Sequence, residues 1–294
     1  MINTKKCLIC KGGKLNDCLY WHEDKDSGSV WVYCSGKCQR GYSLYDYCSK
    51  AGIPLIDFLQ NDFNFEESRP NEVQRMEWPA WFLPLHDKRS QSGIEYVRSR
   101  GLEPVGDMFY DADSKGIVFP YYFHSTFVGA QIRLIVPRSS VDGEEPQKMD
   151  TLPGTRLGLL FYNFDQSKLM GNVKGLIVTE GAFNALSIQQ SLNEMYGSRQ
   201  NNPWHTMATS GCGLSDHQVE TLAEYKAAGY KVVLAPDSDD AGMKMLRKAI
   251  DKNCLTHYSL TDYTDVDWND VLREYGRTGL AQFFMKGVKL VTQG

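Results

Sequence analysis

Short apolar runs and longer amphipathic segments alternate regularly from Lys174 to near the end of the chain. The strand-like runs are GLIVT, WHTMAT, KVVLAP and THYSL, and the helix-like segments are AFNALSIQQSLNEM, LSDHQVETLAEYKAAG, AGMKMLRKAIDKN and WNDVLREYG. Parallel strands need long crossover connections, which helices supply. The pattern therefore predicts an α/β domain with a parallel sheet and flanking helices over residues 175–294.

The region before this domain has a different pattern. GIEYVRSRGL predicts a short helix that ends at Gly101, and GIVFPYYF and FVGAQIRLIV predict two strands joined by a turn at HST. We therefore expect a small β-rich subdomain over residues 93–174. Residues 61–92 carry prolines, charges and two tryptophans without a sustained period, which indicates a linker whose aromatic residues dock on the folded part.

Composition places the chain among ordinary folded proteins. Of its 294 residues, 42% are hydrophobic and 23% are charged, and the formal charge is −4. A negative charge argues against nucleic-acid binding over the whole surface, although a local basic groove stays possible. No apolar stretch reaches the ~20 residues that span a bilayer, and the N-terminal segment lacks the apolar core of a signal peptide. We expect a cytoplasmic protein without a membrane partner, in the host cytoplasm if a phage encodes it.

Cysteine is concentrated at the N-terminus. Cys7 and Cys10 form a C-x2-C pair, and Cys34 and Cys38 form a C-x3-C pair. Two tight turns that each offer two thiolates suit a tetrahedral structural zinc ion, so residues 1–60 are predicted to be a zinc-binding domain. The alternative is that these are reduced cysteines packed as small hydrophobic residues. Further candidate ligands are Cys18, His22 and Cys48.

Acidic residues follow two of the predicted strands. Glu180 comes directly after GLIVT, and Asp237 and Asp239 follow VVLAP. Positions i and i+2 of an extended segment face the same side, and parallel sheets bind ligands at the carboxyl ends of their strands. Carboxylates that converge there suit Mg²⁺. Gly181 and Gly242 permit a close approach of the backbone where each helix begins.

Each of these acids also has a simpler interpretation. Glu180, Asp237 and Asp239 could be solvated strand ends. In TDVDWNDVL, Asp267 is either a further metal ligand or a helix N-cap, and Asp270 is expected to compensate the charge of the helix N-terminus.

Two motifs together resemble a known family. IVTEGAFNAL followed by VLAPDSDDAG is similar to the TOPRIM domain of primases, topoisomerases and some nucleases. The order of a cysteine-rich segment ending in YCSGKCQRGYSLYDYC, a hairpin and TOPRIM resembles bacterial DNA primases, most of all the primase part of phage primase–helicases. The resemblance covers nearly the whole chain and is loosest at residues 61–92. It implies a TOPRIM parallel sheet with flanking helices, preceded by a small β-rich subdomain and an N-terminal zinc ribbon.

The function implied by this resemblance is that of a DNA primase, a DNA-directed RNA polymerase that makes short RNA primers from ribonucleoside triphosphates on single-stranded DNA during replication. Residues 93–174 would be the N-terminal subdomain of the RNA polymerase domain. The residues that match the catalytic, metal-binding acids are Glu180, Asp237 and Asp239, with Asp267 as a further magnesium ligand. Arg133 in VGAQIRL and Lys148 in QKMDTLPG match basic residues that contact nucleotide and template, although both are also compatible with a solvated surface.

The chain departs from the family pattern at two positions. Asn184 stands where an acid is frequent in the first helix, and Gln131 stands where related phage enzymes have a lysine. No G-x-x-x-x-G-K-[ST] phosphate loop is present, so a replicative helicase and a DNA polymerase are expected to be separate partners. Two other functions stay open: a TOPRIM nuclease or recombination mediator that cuts or binds DNA with the same acids, and a non-catalytic zinc adaptor of a replisome.

Overall fold

The structure is a computed structural model. It describes residues 19–23, 30–34, 40–51, 73–138, 146–165, 169, 171–211, 213–261, 264 and 266–291. The chain divides into two compact units, Met1–Glu72 with Asp150–Gly154, and Val73–Met149 with Thr155–Gly294. The finer boundaries expected at residues 60, 92 and 174 stay predictions. In the described part, no helix is both long and apolar enough to cross a membrane.

The described part of the first unit is a small antiparallel sheet followed by a helix. The elements are β1 (Leu19–Glu23), β2 (Val30–Cys34), β3 (Arg40–Ser43) and α1 (Leu44–Ala51). Cys34, the last residue of β2, is buried and pairs with Arg40, the first residue of β3. The other three predicted zinc ligands, Cys7, Cys10 and Cys38, lie outside the described residues.

The predicted β-rich subdomain is present as a five-stranded sheet. Its five strands follow one another across the sheet: β4 (Phe82–Pro84), β5 (Phe109–Asp111), β6 (Gly116–Phe123), β7 (Thr126–Arg138) and β8 (Gln147–Thr151). β6 and β7 form the predicted hairpin, and its two turn residues, His124 and Ser125, have φ of 46° and 63°. Left-handed conformation at both positions matches the twist of the two strands, which explains so tight a turn. β4 lies within the region predicted as a linker.

The predicted short helix is also present, as α2 (Gln91–Ser99). Gly101 follows it with φ of 76°, a left-handed conformation that ends a helix at little cost for glycine. The prediction that this helix closes at Gly101 is confirmed.

The α/β domain is confirmed, with one correction. Its strands are β9 (Gly175–Thr179), β10 (Trp204–Ala208), β11 (Lys231–Leu234), β12 (His257–Tyr258) and β13 (Lys289–Leu290), in the order β10-β9-β11-β12-β13. The first four strands are parallel, whereas β13 is antiparallel to β12. Strand β13 was not predicted because its two residues are exposed and form no apolar run.

Four helices cover this sheet: α3 (Ala182–Met195), α4 (Asp216–Ala227), α5 (Asp240–Asp251) and α6 (Trp268–Gly287). Ile177 and Val233 face a core that includes residues of α3 and α6. Leu176 and Val232 face a second core with residues of α4 and α5. Side chains that alternate between two buried faces are the reason why these strands are apolar throughout.

Helix α6 is longer than predicted. WNDVLREYG indicated an end at Gly276, and the backbone does leave the helical region there, with φ of 67° and ψ of 179°. The chain then resumes a second helical segment that buries Leu280 and Phe284 in the core. The glycine therefore marks a kink between two helices rather than the end of the element.

Candidate functional site

The connection order of the sheet places the predicted acids together. From β9 the chain passes to β10 on one side and then returns to β11 on the other side, so the order reverses between β9 and β11. Ligands bind parallel α/β sheets at such a reversal, at the carboxyl ends of the strands. Glu180 directly follows β9 and Asp237 follows β11, and the backbone amide of Asp237 donates a hydrogen bond to Glu180 Oε1 at 3.3 Å.

The carboxyl group of Asp237 is at the centre of the acidic group. Burial raises its pKa to about 8, assisted by the negative charges of four neighbouring acids, Glu180, Asp267, Asp239 and Asp270. Burial also raises the pKa values of Glu180 and Asp267. The structure therefore brings the four predicted magnesium ligands into one electrostatic neighbourhood, in which each charge makes the next one more costly.

Two of these acids also cap helices. Asp239 accepts a hydrogen bond from the amide of Gly242 at 2.8 Å, and Asp267 accepts one from the amide of Asp270 at 2.8 Å. The N-cap interpretation of Asp267 is thus correct in the structure. A carboxylate has a second oxygen, so capping leaves both residues able to bind a cation. Asp270 itself forms an ion pair with Arg273 at 3.3 Å.

Asn184 connects Asp237 to helix α6. Its side-chain nitrogen donates to Asp237 Oδ1 at 2.7 Å, and its oxygen accepts from the amide of Asn269 at 3.1 Å. An ionised acid at this position could not donate to Asp237. Asn184 is therefore a positioning residue for the central carboxyl group in this chain.

Asn269 was not predicted from the sequence, and its side chain holds α2 and α3 near the acids. It donates to the Arg100 carbonyl at 2.8 Å and to Ser187 Oγ at 2.9 Å. The available signal was a polar residue directly after Trp268 in the first turn of an otherwise apolar helix face. Such an asparagine must be hydrogen-bonded if it is buried, and this one is.

Basic and aromatic side chains lie beside this network. Arg100 donates to Asn269 Oδ1 at 3.2 Å, and its guanidinium group lies 5.3 Å from the ring centroid of Phe183. The Tyr96 hydroxyl accepts from Arg100 at 3.5 Å and from Arg133 at 3.4 Å. The predicted Arg133 is thus joined to the acidic region through Tyr96 and Arg100.

Lys148 and Gln131, two further positions singled out in the sequence, do not share the contacts of Arg133 with Tyr96. Lys148 is an exposed residue of β8 and has no hydrogen bond or ion pair with the described residues. Gln131, which stands where a lysine was expected, donates to the carbonyl of Ser210 at 2.9 Å. The amide of Ser210 in turn donates to the carbonyl of Glu180 at 2.8 Å. Gln131 therefore holds the loop that lies against Glu180.

The two candidate glycines differ in their surroundings. A Cβ at Gly242 would collide with the carbonyl of Asp237 and would lie 2.8 Å from Glu180 Oε1. A Cβ at Gly181 would have no neighbour within 4 Å, and the φ of −109° at Gly181 is allowed for any residue. Close backbone approach therefore requires glycine at Gly242 but not at Gly181.

This difference gives a matched pair of variants. We expect Gly242→Ala to lower the free energy of unfolding by at least about 2 kcal/mol, because its methyl group forces Asp237 to move. Gly181→Ala is expected to stay within about 0.5 kcal/mol of the unsubstituted chain. Thermal or chaotrope unfolding of the two variants measures both values, and equal losses would contradict this description of the strand ends.

The acids fit a magnesium ion by their chemistry. Among the described residues, no group of three or more His, Cys, Asp and Glu side chains is already arranged to hold a metal ion. Mg²⁺ is commonly held by only one or two carboxylates, with water and substrate phosphates completing its octahedron. A half-buried Asp237 with a raised pKa beside Glu180 offers such ligands, and a cation would relieve their repulsion.

Comparison with known proteins agrees with the sequence motifs. Residues 177–272 match the family model described as Toprim-like, and the match includes the four acids discussed above. That part of the chain is therefore similar to Toprim domains. No curated protein matches the sequence significantly.

The solved structures similar to this chain include several primases. The DnaG catalytic core has 15% identity and a TM-score of 0.48, over 70% of this chain and 76% of that chain. The zinc-binding and RNA polymerase domains of Aquifex aeolicus primase have 17% identity and a TM-score of 0.44, over 92% and 80% of the two chains. The primase fragment of the bacteriophage T7 primase–helicase has 14% identity and a TM-score of 0.41, over 93% and 94%.

Proposed function

We propose that this protein is a DNA primase, which makes short RNA primers on single-stranded DNA by metal-dependent nucleotidyl transfer. The observation that carries the proposal is the gathering of Glu180, Asp237, Asp239 and Asp267 at the carboxyl ends of β9 and β11, within the Toprim-like region. Phosphoryl transfer depends mainly on alignment and on neutralising charge, which carboxylate-bound cations beside basic side chains can provide.

Each residue of the site has a distinct role in this proposal. Glu180 and Asp237 would hold Mg²⁺, with Asp239 and Asp267 contributing through the oxygens that do not cap helices. When bound, Mg²⁺ would neutralise the triphosphate and lower the pKa of the attacking hydroxyl group. Asn184 keeps Asp237 in one orientation, and Gly242 leaves room for that orientation.

The remaining predicted residues extend the proposal beyond the acids. Arg133 would pair with phosphate oxygens through its planar fork, Lys148 would act as a point charge, and Gly181 would leave the substrate side of α3 open. Cys7, Cys10, Cys34 and Cys38 would hold a structural zinc ion. Single-stranded DNA and ribonucleoside triphosphates would be the substrates, and a separate helicase and DNA polymerase would be the partners.

The arginine pair should affect substrate binding more than turnover. We expect Arg100→Gln and Arg133→Gln each to raise the KM for ribonucleotide or template by about tenfold, since each removes a charge-assisted contact to phosphate. Lys231→Gln is the control because Lys231 is an exposed cation at the opposite end of β11. Initial rates over a range of substrate concentrations give both constants. Equal effects of all three substitutions would exclude a specific role for the arginine pair.

A single assay separates the candidate functions. Protein, Mg²⁺, ribonucleoside triphosphates and single-stranded DNA of varied sequence are incubated together, and the products are resolved by length. New short RNA supports the primase, shortened DNA supports a Toprim nuclease, and unchanged DNA without RNA supports an adaptor or a recombination mediator. We expect new RNA that depends on both template and Mg²⁺.

A further inference from the structure

A cavity lies in the second unit, apart from the acidic residues at the ends of β9 and β11. Its volume is about 260 Å³, and it lies beside the edge strand β10, near the amino-terminal end of that strand. None of the residues that line it belongs to the acidic site described above. Ligand pockets typically measure roughly 300–1,000 Å³, so this cavity suits a ligand of about one heteroaromatic ring system.

An arginine in the cavity wall is held by a buried histidine. Arg199 donates to His205 Nδ1 at 2.7 Å, and His205 Nε2 lies 2.5 Å from the carbonyl oxygen of Asn163. Because a guanidinium group can only donate, Nδ1 must accept and Nε2 must carry the proton. Burial and the charge of Arg199 lower the pKa of His205 to about 4, so the imidazole is neutral at neutral pH.

Arg199 therefore has N–H donors without a partner among the described residues, and its side chain is half-buried in the cavity wall. Its only hydrogen bond with the described residues goes to the neutral His205, although a guanidinium group has five N–H donors. The support of Arg199 is rigid, because Asn163 also donates to the carbonyl of Thr206 at 2.8 Å. A half-buried cation with a fixed orientation and free donors is suited to a ligand that presents acceptors.

The other walls supply a carboxylate and aromatic rings. Asp107 is exposed at the cavity and has no hydrogen bond with the described residues, whereas Asp165 accepts one from the amide of Ser125 at 2.8 Å. Tyr122 and Phe164 also line the cavity. A phosphate group would meet the negative charge of Asp107, so a neutral planar ligand with both acceptors and donors fits these walls better.

We propose that this cavity binds a guanine base. Guanine offers two acceptors, O6 and N7, to an arginine fork, and Arg199 would provide that fork. Its N1–H and N2 amino donors would face the carboxylate of Asp107, and its ring would contact Tyr122 and Phe164. Adenine is disfavoured because it presents an amino donor in place of O6 and has no N1 hydrogen. The base belongs either to a free nucleotide or to single-stranded DNA.

The test uses nucleosides and measures binding directly, without Mg²⁺. Guanosine, adenosine, inosine and 7-deazaguanosine are titrated calorimetrically into the full chain. We expect guanosine to bind, adenosine to bind at least about tenfold more weakly, and the two analogues to bind at least about fivefold more weakly than guanosine. Inosine lacks the 2-amino group and 7-deazaguanosine lacks N7, so each analogue reports on one side chain.

Two variants assign the contacts. In Asp107→Asn, whose side chain is exposed, we expect guanosine to bind more weakly and the difference between guanosine and inosine to disappear. In Arg199→Gln we expect the difference between guanosine and 7-deazaguanosine to disappear. Asp237→Ala is the control and should leave guanosine binding unchanged. Absence of guanosine binding, equal binding of adenosine, or an inosine difference that persists in Asp107→Asn would overturn the proposal.

The source of the base follows from a second titration, with dT oligomers that contain one dG or one deoxyinosine. Tighter binding of the dG oligomer that depends on Asp107 assigns the site to single-stranded DNA. If guanosine binds more tightly than inosine but the dG and deoxyinosine oligomers bind equally, the site is assigned to a free nucleotide. Neither titration involves RNA synthesis, so failure here leaves the primase proposal to be judged by its own assay.

Discussion

Replacing Asp237 by alanine is expected to reduce primer synthesis by at least about 100-fold. Substitution of a residue that only hydrogen-bonds to a metal ligand typically lowers activity by about 10- to 100-fold, and loss of a ligand itself should cost at least as much. Asp237 lies at the centre of the acids, since the negative charges of Glu180, Asp239 and Asp267 all act on its carboxyl group. Binding of single-stranded DNA should stay close to that of the unsubstituted chain, since the basic residues are retained. Primer yield and a DNA-binding titration measure the two effects separately.

Asp240→Asn is the matched control for this substitution. Asp240 belongs to the same acidic segment but is exposed in the first turn of α5. We expect primer synthesis by this variant to resemble that of the unsubstituted chain. Full activity of Asp237→Ala, or an equal loss in both variants, would show that a general loss of negative charge, rather than the position of Asp237, is responsible.

The second large effect concerns stability without metal. The pKa of Asp237 is raised from 3.8 to about 8 in the folded chain, so between these pH values the unfolded chain releases a proton that the folded chain keeps. The free energy of unfolding should therefore fall as the pH rises from about 4 to about 8. Asp237→Asn removes this contribution, and we expect it to stabilise the metal-free protein by about 2 kcal/mol at pH 8.

Unfolding curves at several pH values in a chelator test this expectation. The advantage of Asp237→Asn over the unsubstituted chain should grow from pH 5 to pH 8. Adding Mg²⁺ should stabilise the unsubstituted chain most at pH 8, because a cation binds the ionised carboxylate. A variant that is less stable than the unsubstituted chain at pH 8, or a Mg²⁺ effect that shrinks as the pH rises, would contradict the proposed state of Asp237.

Much of the fold could be predicted because local pattern and tertiary structure agree. The hairpin of β6 and β7, the helix closed by Gly101 and the four parallel strands each have an apolar period or a turn residue that identifies them. β13 was missed because two exposed residues show no hydrophobic periodicity. The second half of α6 was missed because Gly276 resembles a residue that ends a helix. In both cases long-range contacts outweigh the local signal.

The acids of the site were predictable for a topological reason. Residues that directly follow parallel strands must lie at one edge of the sheet, so Glu180 and Asp237 meet whatever their separation along the chain. The contributions of Asn269 and Arg100 depend on how α2 and α6 pack against α3, and strand order does not determine that packing. Sequence also could not show that Gln131 holds the Ser210 loop, because that contact joins β7 of one sheet to a loop that follows β10 of the other sheet.

Location of a bound cation tests the central claim most directly. Crystals of the protein soaked in Mn²⁺, which substitutes for Mg²⁺ at oxygen ligands, would be measured for anomalous scattering. We predict a peak within about 2.3 Å of carboxylate oxygens of Glu180 and Asp237, lost in crystals of Asp237→Ala. Manganese bound elsewhere in the second unit, with none between the ends of β9 and β11, would contradict it.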